Sequence, residues 1–162
     1  MKNQSVKHHG ASGHSYIMFA VNMVLSLIVM YLVMFSMIDG WRDFANNLNT
    51  FYMALTMVAP MGILMLATMA GMYENRRLNL ALYAGFVVIF VAAFAGTRSQ
   101  ALIGDQQFIA SMIPHHSGAI LMCREAKLAD KELQDLCREI AVAQRREIDQ
   151  MEAIRLRLAR QS

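Results

Sequence analysis

Residues 105–122 read DQQFIASMIPHHSGAILM, and this stretch decides how the C-terminal part of the chain is interpreted. Two adjacent histidines, His115 and His116, follow a proline, with Met112 upstream and Met122 downstream. Imidazole and thioether groups together favour a soft or borderline transition metal, copper above all, because sulfur ethers bind hard cations poorly. The alternative is a core helix in which methionines fill gaps and a histidine is hydrogen-bonded.

The sequence around this stretch predicts two amphipathic helices joined by a short turn. Asp105 and Asp130 are suitable N-cap residues for helices over 105–128 and 131–159, and Pro114 should kink the first helix. Because the connection between the helices is short, we expect them to lie antiparallel. The C-terminal part is therefore predicted to be a soluble helical hairpin.

Alternating steps of four and three residues define a packing seam on each predicted helix. The first seam contains Phe108, Met112, His115, Ala119, Met122 and Ala126, and the second contains Leu133, Cys137, Ile140, Gln144, Glu147, Met151, Ile154 and Leu158. In an antiparallel pair, His115 would lie near Gln144 and Glu147. Burying these three polar groups costs several kcal/mol unless they have partners.

A metal ion is one partner that would satisfy these groups. The predicted ligands are Met112, His115, His116, Met122, Glu147 and Met151, with Gln144 orienting an imidazole from the second shell of ligands. Adjacent histidines point about 100° apart on a regular helix, so His115, which lies on the seam, is the preferred ligand. The alternative is a polar network within the hairpin or with another chain.

The two cysteines of the chain fall at about the same level of the predicted hairpin. Cys123 and Cys137 could form a disulfide in an oxidising compartment, or act as further soft ligands when reduced. Buried free thiols are the alternative.

The N-terminal part of the chain has the composition of a membrane region. The chain is 56% hydrophobic and 17% charged, and residues 16–38, 51–73 and 78–97 contain no Asp, Glu, Lys or Arg. About 20 apolar residues suffice for a helix to cross a bilayer. We therefore expect a disordered tail over 1–15, three membrane helices within 16–97 and an extracytoplasmic domain over 98–162.

The charges beside these helices predict their orientation. Lys2 and Lys7 place the N-terminus in the cytoplasm, and Arg76 and Arg77 place the second loop there. The expected location is a bacterial inner membrane, with the C-terminal domain in the periplasm. No basic and aromatic patch suggests a nucleic-acid partner.

Methionine recurs every four residues in the second apolar stretch, at Met53, Met57, Met61, Met65 and Met69. Residues four apart lie about 40° from vertical alignment, so they form a slowly winding stripe. Such a stripe could pass Cu(I) or Ag(I) through a bilayer, or methionine could simply be a flexible apolar filler. In its three spans and repeated M-x-x-x-M, this part is similar to eukaryotic high-affinity copper transporters.

The C-terminal residues resemble domain-of-unknown-function family 305. The resemblance covers roughly residues 100–155 and rests on Asp105, Phe108, the Met112-Ile-Pro-His-His116 run, Ala119, Met122, Gln144, Glu147, Ile148 and Met151. That family is helical, often described as ferritin-like, and includes periplasmic copper-binding proteins of the CopM type. The resemblance implies copper binding or resistance, with the histidines and methionines of the first helix in the motif.

Together these patterns predict an all-α, membrane-anchored protein whose hairpin is half of a ferritin-like bundle. Its expected function is copper binding, with Cu(I) favoured and Ag(I) as a mimic, for tolerance or for handover to a donor or acceptor protein. A two-helix hairpin exposes one face, so a homo-oligomer or docking on the membrane is expected. The alternatives are a Cu(I) or Ag(I) transporter and an interaction module without metal. No nucleophile-base pair or phosphate loop appears, so no enzyme is predicted.

Overall fold

The computed structural model describes residues 9–161, with side chains from residue 13 onward. The α-helices are α1 (His9–Val33), α2 (Leu48–Thr68), α3 (Arg76–Ser99), α4 (Asp105–Glu125) and α5 (Lys131–Ala159). Three short 3-10 helices occupy Met34–Met37, Trp41–Asp43 and Ala70–Met72. Within the described range no residue belongs to a β-strand, which confirms the predicted all-α class.

The ends of the helices agree with the sequence in some places and differ in others. Helix α5 has the predicted bounds, and the Asp130 carboxylate accepts a hydrogen bond from the Leu133 N–H at 2.8 Å. The predicted N-cap of α4 is wrong, because Gly104 occupies that position and Asp105 is the first helical residue. Since α1 begins at His9, part of the predicted disordered tail is helical, and the rest of the tail lies outside the described residues.

The chain divides into two compact units. The first comprises the chain up to Tyr31 together with Tyr52–Ser99, and the second comprises Leu32–Phe51 together with the chain from Gln100 onward. The loop between α1 and α2 therefore belongs to the same unit as α4 and α5, although about 50 residues separate them in sequence.

The first unit contains the three apolar helices, each long and apolar enough to cross a membrane. Its interior is a small aromatic and aliphatic cluster in which the Phe19 ring contacts both Tyr73 and Phe86 edge to face. A Cβ atom at Gly62 would lie 2.5 Å from the Phe86 ring, so this glycine allows the close approach of α2 and α3. Many of the remaining side chains in this unit are large, apolar and exposed.

The methionine stripe of α2 is divided between two environments in the first unit. Met61 and Met65 pack against the buried cluster. Met53, Met57 and Met69 are exposed. Within one chain the five thioethers therefore do not face a common interior surface.

The second unit is built on α4 and α5, which pack along their length. Its core is a cluster of isoleucines, Ile109, Ile113, Ile120 and Ile148. The loop between α1 and α2 lies against α4, and within it the Phe35 ring is buried and contacts Phe44 at a centroid distance of 4.5 Å. This arrangement positions the polar side chains described next.

Candidate metal centre

Helix α4 packs on α5 through a different face from the one that the sequence predicted. Its buried residues are Ile109, Ile113, Ser117 and Ile120. Each follows a predicted seam position by one or two residues, and a one-residue shift rotates the packed face by about 100°. The predicted seam residues Phe108 and Met122 are 50% and 60% exposed, so the α4 seam prediction is wrong. On α5, the predicted positions Met151, Ile154 and Leu158 do pack against the isoleucine cluster.

Because α4 buries a different face from the predicted one, His115 and His116 have the opposite of their predicted environments. His115, the preferred ligand at the sequence level, is exposed. The His116 side chain is only 16% exposed, and its Nε2 atom lies 3.5 Å from Oε2 of Glu147 on α5. The imidazole centroids are 6.2 Å apart and the ring planes differ by 67°, so the two rings point in different directions. His116 is therefore the histidine that meets the polar part of α5.

Two polar atoms beside this contact are buried without a hydrogen-bond partner. They are Nδ1 of His116 and Oε1 of Gln144. A buried polar atom that lacks a partner costs about 1–3 kcal/mol, so natural structures rarely leave one unsatisfied without a ligand or water. The Glu147 carboxylate faces Nε2 and favours the tautomer with its proton there, which leaves Nδ1 with a free lone pair.

Burial lowers the pKa of His116 below its ordinary value of 6.5. The Glu147 carboxylate opposes this shift, and the neighbouring His115 adds to it. The imidazole is consequently neutral at pH 7, and the neutral form is the one that can bind a metal ion.

Two methionines lie one helical turn from the contact between His116 and Glu147. Met112 precedes His116 by four residues on α4, and Met151 follows Glu147 by four residues on α5. Residues four apart share a helix face. The pairs Cys123–Cys137 and His116–Glu147 show that the two helices run antiparallel. A residue nearer the start of α4 therefore lies opposite a residue nearer the end of α5. Both thioethers are therefore displaced from His116 in the same direction, and both are partly buried.

Within the described residues, no three side chains of the His, Cys, Asp and Glu types gather closely enough to hold an ion. A site at His116 and Glu147 would therefore need the thioethers of Met112 and Met151 to complete it. Such a donor set fits a soft monovalent ion better than a hard cation. Of the six ligands predicted from sequence, His116 and Glu147 are in contact, Met112 and Met151 are partly buried, and His115 and Met122 are exposed.

A disulfide joins Cys123 of α4 to Cys137 of α5, with the Cα atoms 5.1 Å apart. It ties the two helices near the five-residue connection between them. The loop that it closes is short, and a loop of that length contributes about 3 kcal/mol of stability in the chain-entropy description.

A charged network that the sequence analysis missed holds the loop between α1 and α2 against α4 and α5. The Ser117 hydroxyl, fully buried on α4, donates to Oδ2 of Asp43 at 2.6 Å and accepts from the Asp39 N–H at 2.6 Å. Arg145 of α5 donates to Asp43 at 3.2 Å and to Asp39 at 3.0 Å. Asp39 also pairs with Arg124 of α4. These bonds join residues 74 to 106 positions apart, so no local pattern reveals them.

The hydrogen bond from Arg145 to Asp43 raises the pKa of the guanidinium above its ordinary value, and the charges of Asp43, Asp39 and Asp149 add to this shift. The guanidinium thus stays charged, and it balances the carboxylate of Asp43, which is only 3% exposed. The close packing of α4 against the loop also involves Gly118, the residue after Ser117. A Cβ atom at Gly118 would lie 3.2 Å from the Met37 carbonyl oxygen, so the helix and loop meet closely there.

Comparison with known proteins identifies the C-terminal helices. Residues 91–155 match the family described as a domain of unknown function, DUF305. The "Uncharacterized protein L153" of Acanthamoeba polyphaga mimivirus is 33% identical over 114 residues, which cover 69% of this chain and 73% of that protein. The chain belongs to the DUF305 family. The family predicted from the sequence is thereby confirmed.

The DUF305 match begins within α3 and contains all of α4 and most of α5. His116, Gln144, Glu147 and Arg145 all lie inside it. Asp39 and Asp43, which bind Arg145, lie outside it. No solved structure matches the chain.

Proposed function

We propose that this DUF305 protein is a membrane-anchored copper-binding protein that serves copper or silver tolerance or hands Cu(I) to another protein. The proposed ligands are Nδ1 of His116 and the thioethers of Met112 and Met151, and the Glu147 carboxylate orients the imidazole. The observation that supports this proposal is the buried lone pair of His116 Nδ1, which has no partner while Nε2 faces Glu147.

The arrangement has the features that metal-binding histidines share. Such a histidine usually donates its second ring N–H to a carboxylate, which fixes the tautomer and raises the basicity of the ligand nitrogen. His116 is also neutral at pH 7 because burial lowers its pKa, so no proton has to leave before an ion binds. Thioethers favour Cu(I) and its redox-inert mimic Ag(I) over zinc or magnesium.

The remaining parts of the proposal concern location and assembly. The three apolar helices act as a bilayer anchor, with the N-terminus in the cytoplasm and an antiparallel α4–α5 hairpin in the periplasm of a bacterial cell. Lipid is then the partner of the first unit, and a copper donor or acceptor is the partner of the second. The hairpin supplies two helices of a ferritin-like bundle, which a second copy would complete.

The test compares His116→Ala with His115→Ala in the full-length protein in detergent micelles. The control removes the same side chain from the adjacent, exposed position, so it changes composition equally. Silver would be titrated in competition with a chromogenic chelator, and circular dichroism would verify that both variants keep their helix content. We expect His115→Ala to retain one tight silver equivalent and His116→Ala to lose it.

Two further variants test the roles of the neighbours. Glu147→Gln should weaken silver binding by about 10–100-fold without removing the site, the usual effect of a residue that orients a ligand. The paired substitution Met112→Leu and Met151→Leu should abolish tight binding. If His116→Ala binds silver as the native protein does, or if only His115→Ala loses it, the proposed ligand assignment is wrong.

A further inference from the structure

A cavity of about 500 Å³ lies beside the disulfide, and both cysteines line it. Cys123 and Cys137 are partly exposed. Arg124, Lys127 and Arg138 also line this cavity, where Arg124 pairs with Asp39 and Glu125 and Arg138 pairs with Asp135. Positive charges beside a cysteine stabilise the thiolate, the form that binds metals and that leaves when a disulfide is attacked.

The isoleucine core lets the disulfide open without loss of the fold. Ile113 and Ile148 are each 1% exposed and belong to the cluster that packs α4 on α5. This cluster does not include the cysteines. Opening the bridge removes one cross-link near the connection between the helices, and the packed isoleucines would still hold the helices together.

The cysteine pair lies at a regular distance from His116 on α4 and from Gln144 on α5. Cys123 follows His116 by seven residues on α4, and Gln144 follows Cys137 by seven residues on α5. Seven residues are two helical turns, or about 10 Å, and return nearly to the same face. Ile120 lies between the two levels and lines the cavity.

We propose that Cys123 and Cys137 form a second, redox-controlled site for Cu(I). An external protein dithiol reduces the bridge: its two sulfur atoms become a disulfide, the Cys123–Cys137 bond breaks, and each cysteine gains one electron and one proton. The reduced pair then binds one Cu(I) through two sulfur atoms and releases two protons. Reoxidation by an external disulfide reverses the exchange and releases the ion toward the cavity.

This proposal shares its metal with the proposed function but uses none of the same ligands. The metal can be bound at either site without the other, so the two proposals fail separately.

The experiment compares the oxidised and reduced full-length protein in detergent micelles. A phosphine reductant would open the bridge and be removed under anaerobic conditions, and thiol titration of the folded protein would count free cysteines. Silver would then be titrated in competition with a chromogenic chelator. We expect no free thiols and one tight silver equivalent before reduction, then two free thiols and two equivalents after reduction.

Two variants make this result specific. The double variant Cys123→Ser and Cys137→Ser should never gain the additional equivalent, whereas His116→Ala should gain it on reduction although it lacks the first site. A bridge that resists reduction in the folded protein would overturn the proposal. Equal silver uptake by the oxidised and reduced forms, or an added equivalent that persists in the double serine variant, would also overturn it.

Discussion

Substitution of Arg145 by glutamine should destabilise the second unit far more than its partial exposure suggests. Arg145 is the cation that balances Asp43, whose side chain is 4% exposed and receives only one further hydrogen bond, from Ser117. Removing one partner of a buried ion pair costs about 3–5 kcal/mol. Since the Arg145 side chain is 42% exposed and water can partly replace it, we expect the lower end, about 3 kcal/mol.

This loss should appear as a large shift in melting temperature. For a domain of 60–100 residues, each kcal/mol shifts Tm by about 4–8 °C, so 3 kcal/mol corresponds to a decrease of roughly 12–24 °C. The matched control is Arg124→Gln, which removes an arginine that pairs with Asp39 from an exposed position. An exposed pair contributes little to stability because water and salt screen it, so the control should shift Tm by only a few degrees.

Thermal unfolding of the full-length protein in detergent, followed by circular dichroism, measures both variants. Adding Asp43→Asn to Arg145→Gln should recover most of the loss, because the buried position then carries no unbalanced charge. Equal Tm values for Arg145→Gln and Arg124→Gln would refute the reasoning. So would a double variant that is less stable than either single variant.

Three other measurements test the packing, the histidine and the buried hydroxyl. Gly118→Ala should cost about 1–3 kcal/mol because its Cβ meets a backbone oxygen, whereas Gly85→Ala, also inside a helix but with no atom within 4 Å, should not lower Tm. Silver affinity should decrease on acidification with a midpoint below pH 6.5, because burial lowers the pKa of His116; a decrease centred above 6.5 would contradict the shift. Ser117→Ala should lower stability by about 1–3 kcal/mol, since Asp43 loses a buried hydrogen bond, and an unchanged Tm would show that this bond is dispensable.

The local sequence predicted the helices well because local interactions determine them. The absence of charge over three long stretches predicted the apolar helices, and Asp130 predicted the start of α5. It failed at the start of α4, where Gly104 and Asp105 are adjacent and either could precede the first turn. Predictions of this kind depend only on the few residues around each helix end, and the sequence shows those residues directly.

The face that α4 buries could not be predicted from spacing alone. The series beginning at Phe108 and the series beginning at Ile109 both repeat with helical spacing. The second series carries more isoleucine, and burying these larger apolar side chains gains more free energy than burying alanine or histidine. A comparison of the two faces by side-chain apolarity would have favoured Ile109 and Ile113, and hence His116 over His115.

The charged network escaped prediction for a different reason. Asp39 and Asp43, which lie in the loop between the apolar helices α1 and α2, have no role in the sequence-based predictions. Their partners Ser117 and Arg145 lie on helices formed far later in the chain, and nothing in the spacing links them. Buried ion pairs between distant segments depend on tertiary packing, and the periodicity of apolar residues along a helix does not reveal that packing.

The hydrogen bonds that hold the loop between α1 and α2 in the second unit also indicate how a version of the protein without its apolar helices could be engineered. Leu48 donates its N–H to Oε1 of Gln107 at 2.8 Å, and Nε2 of Gln100 lies 3.5 Å from Oδ1 of Asn49. Deleting residues 1–31, which contain most of α1, and excising 50–99 would leave the second unit. The cut ends at 49 and 100 would be neighbours, and a linker of a few glycine and serine residues could join them. A shortened protein that begins at residue 91, where the DUF305 match begins, would lack Asp39 and Asp43. Arg145 would then lose the two carboxylates to which it donates hydrogen bonds.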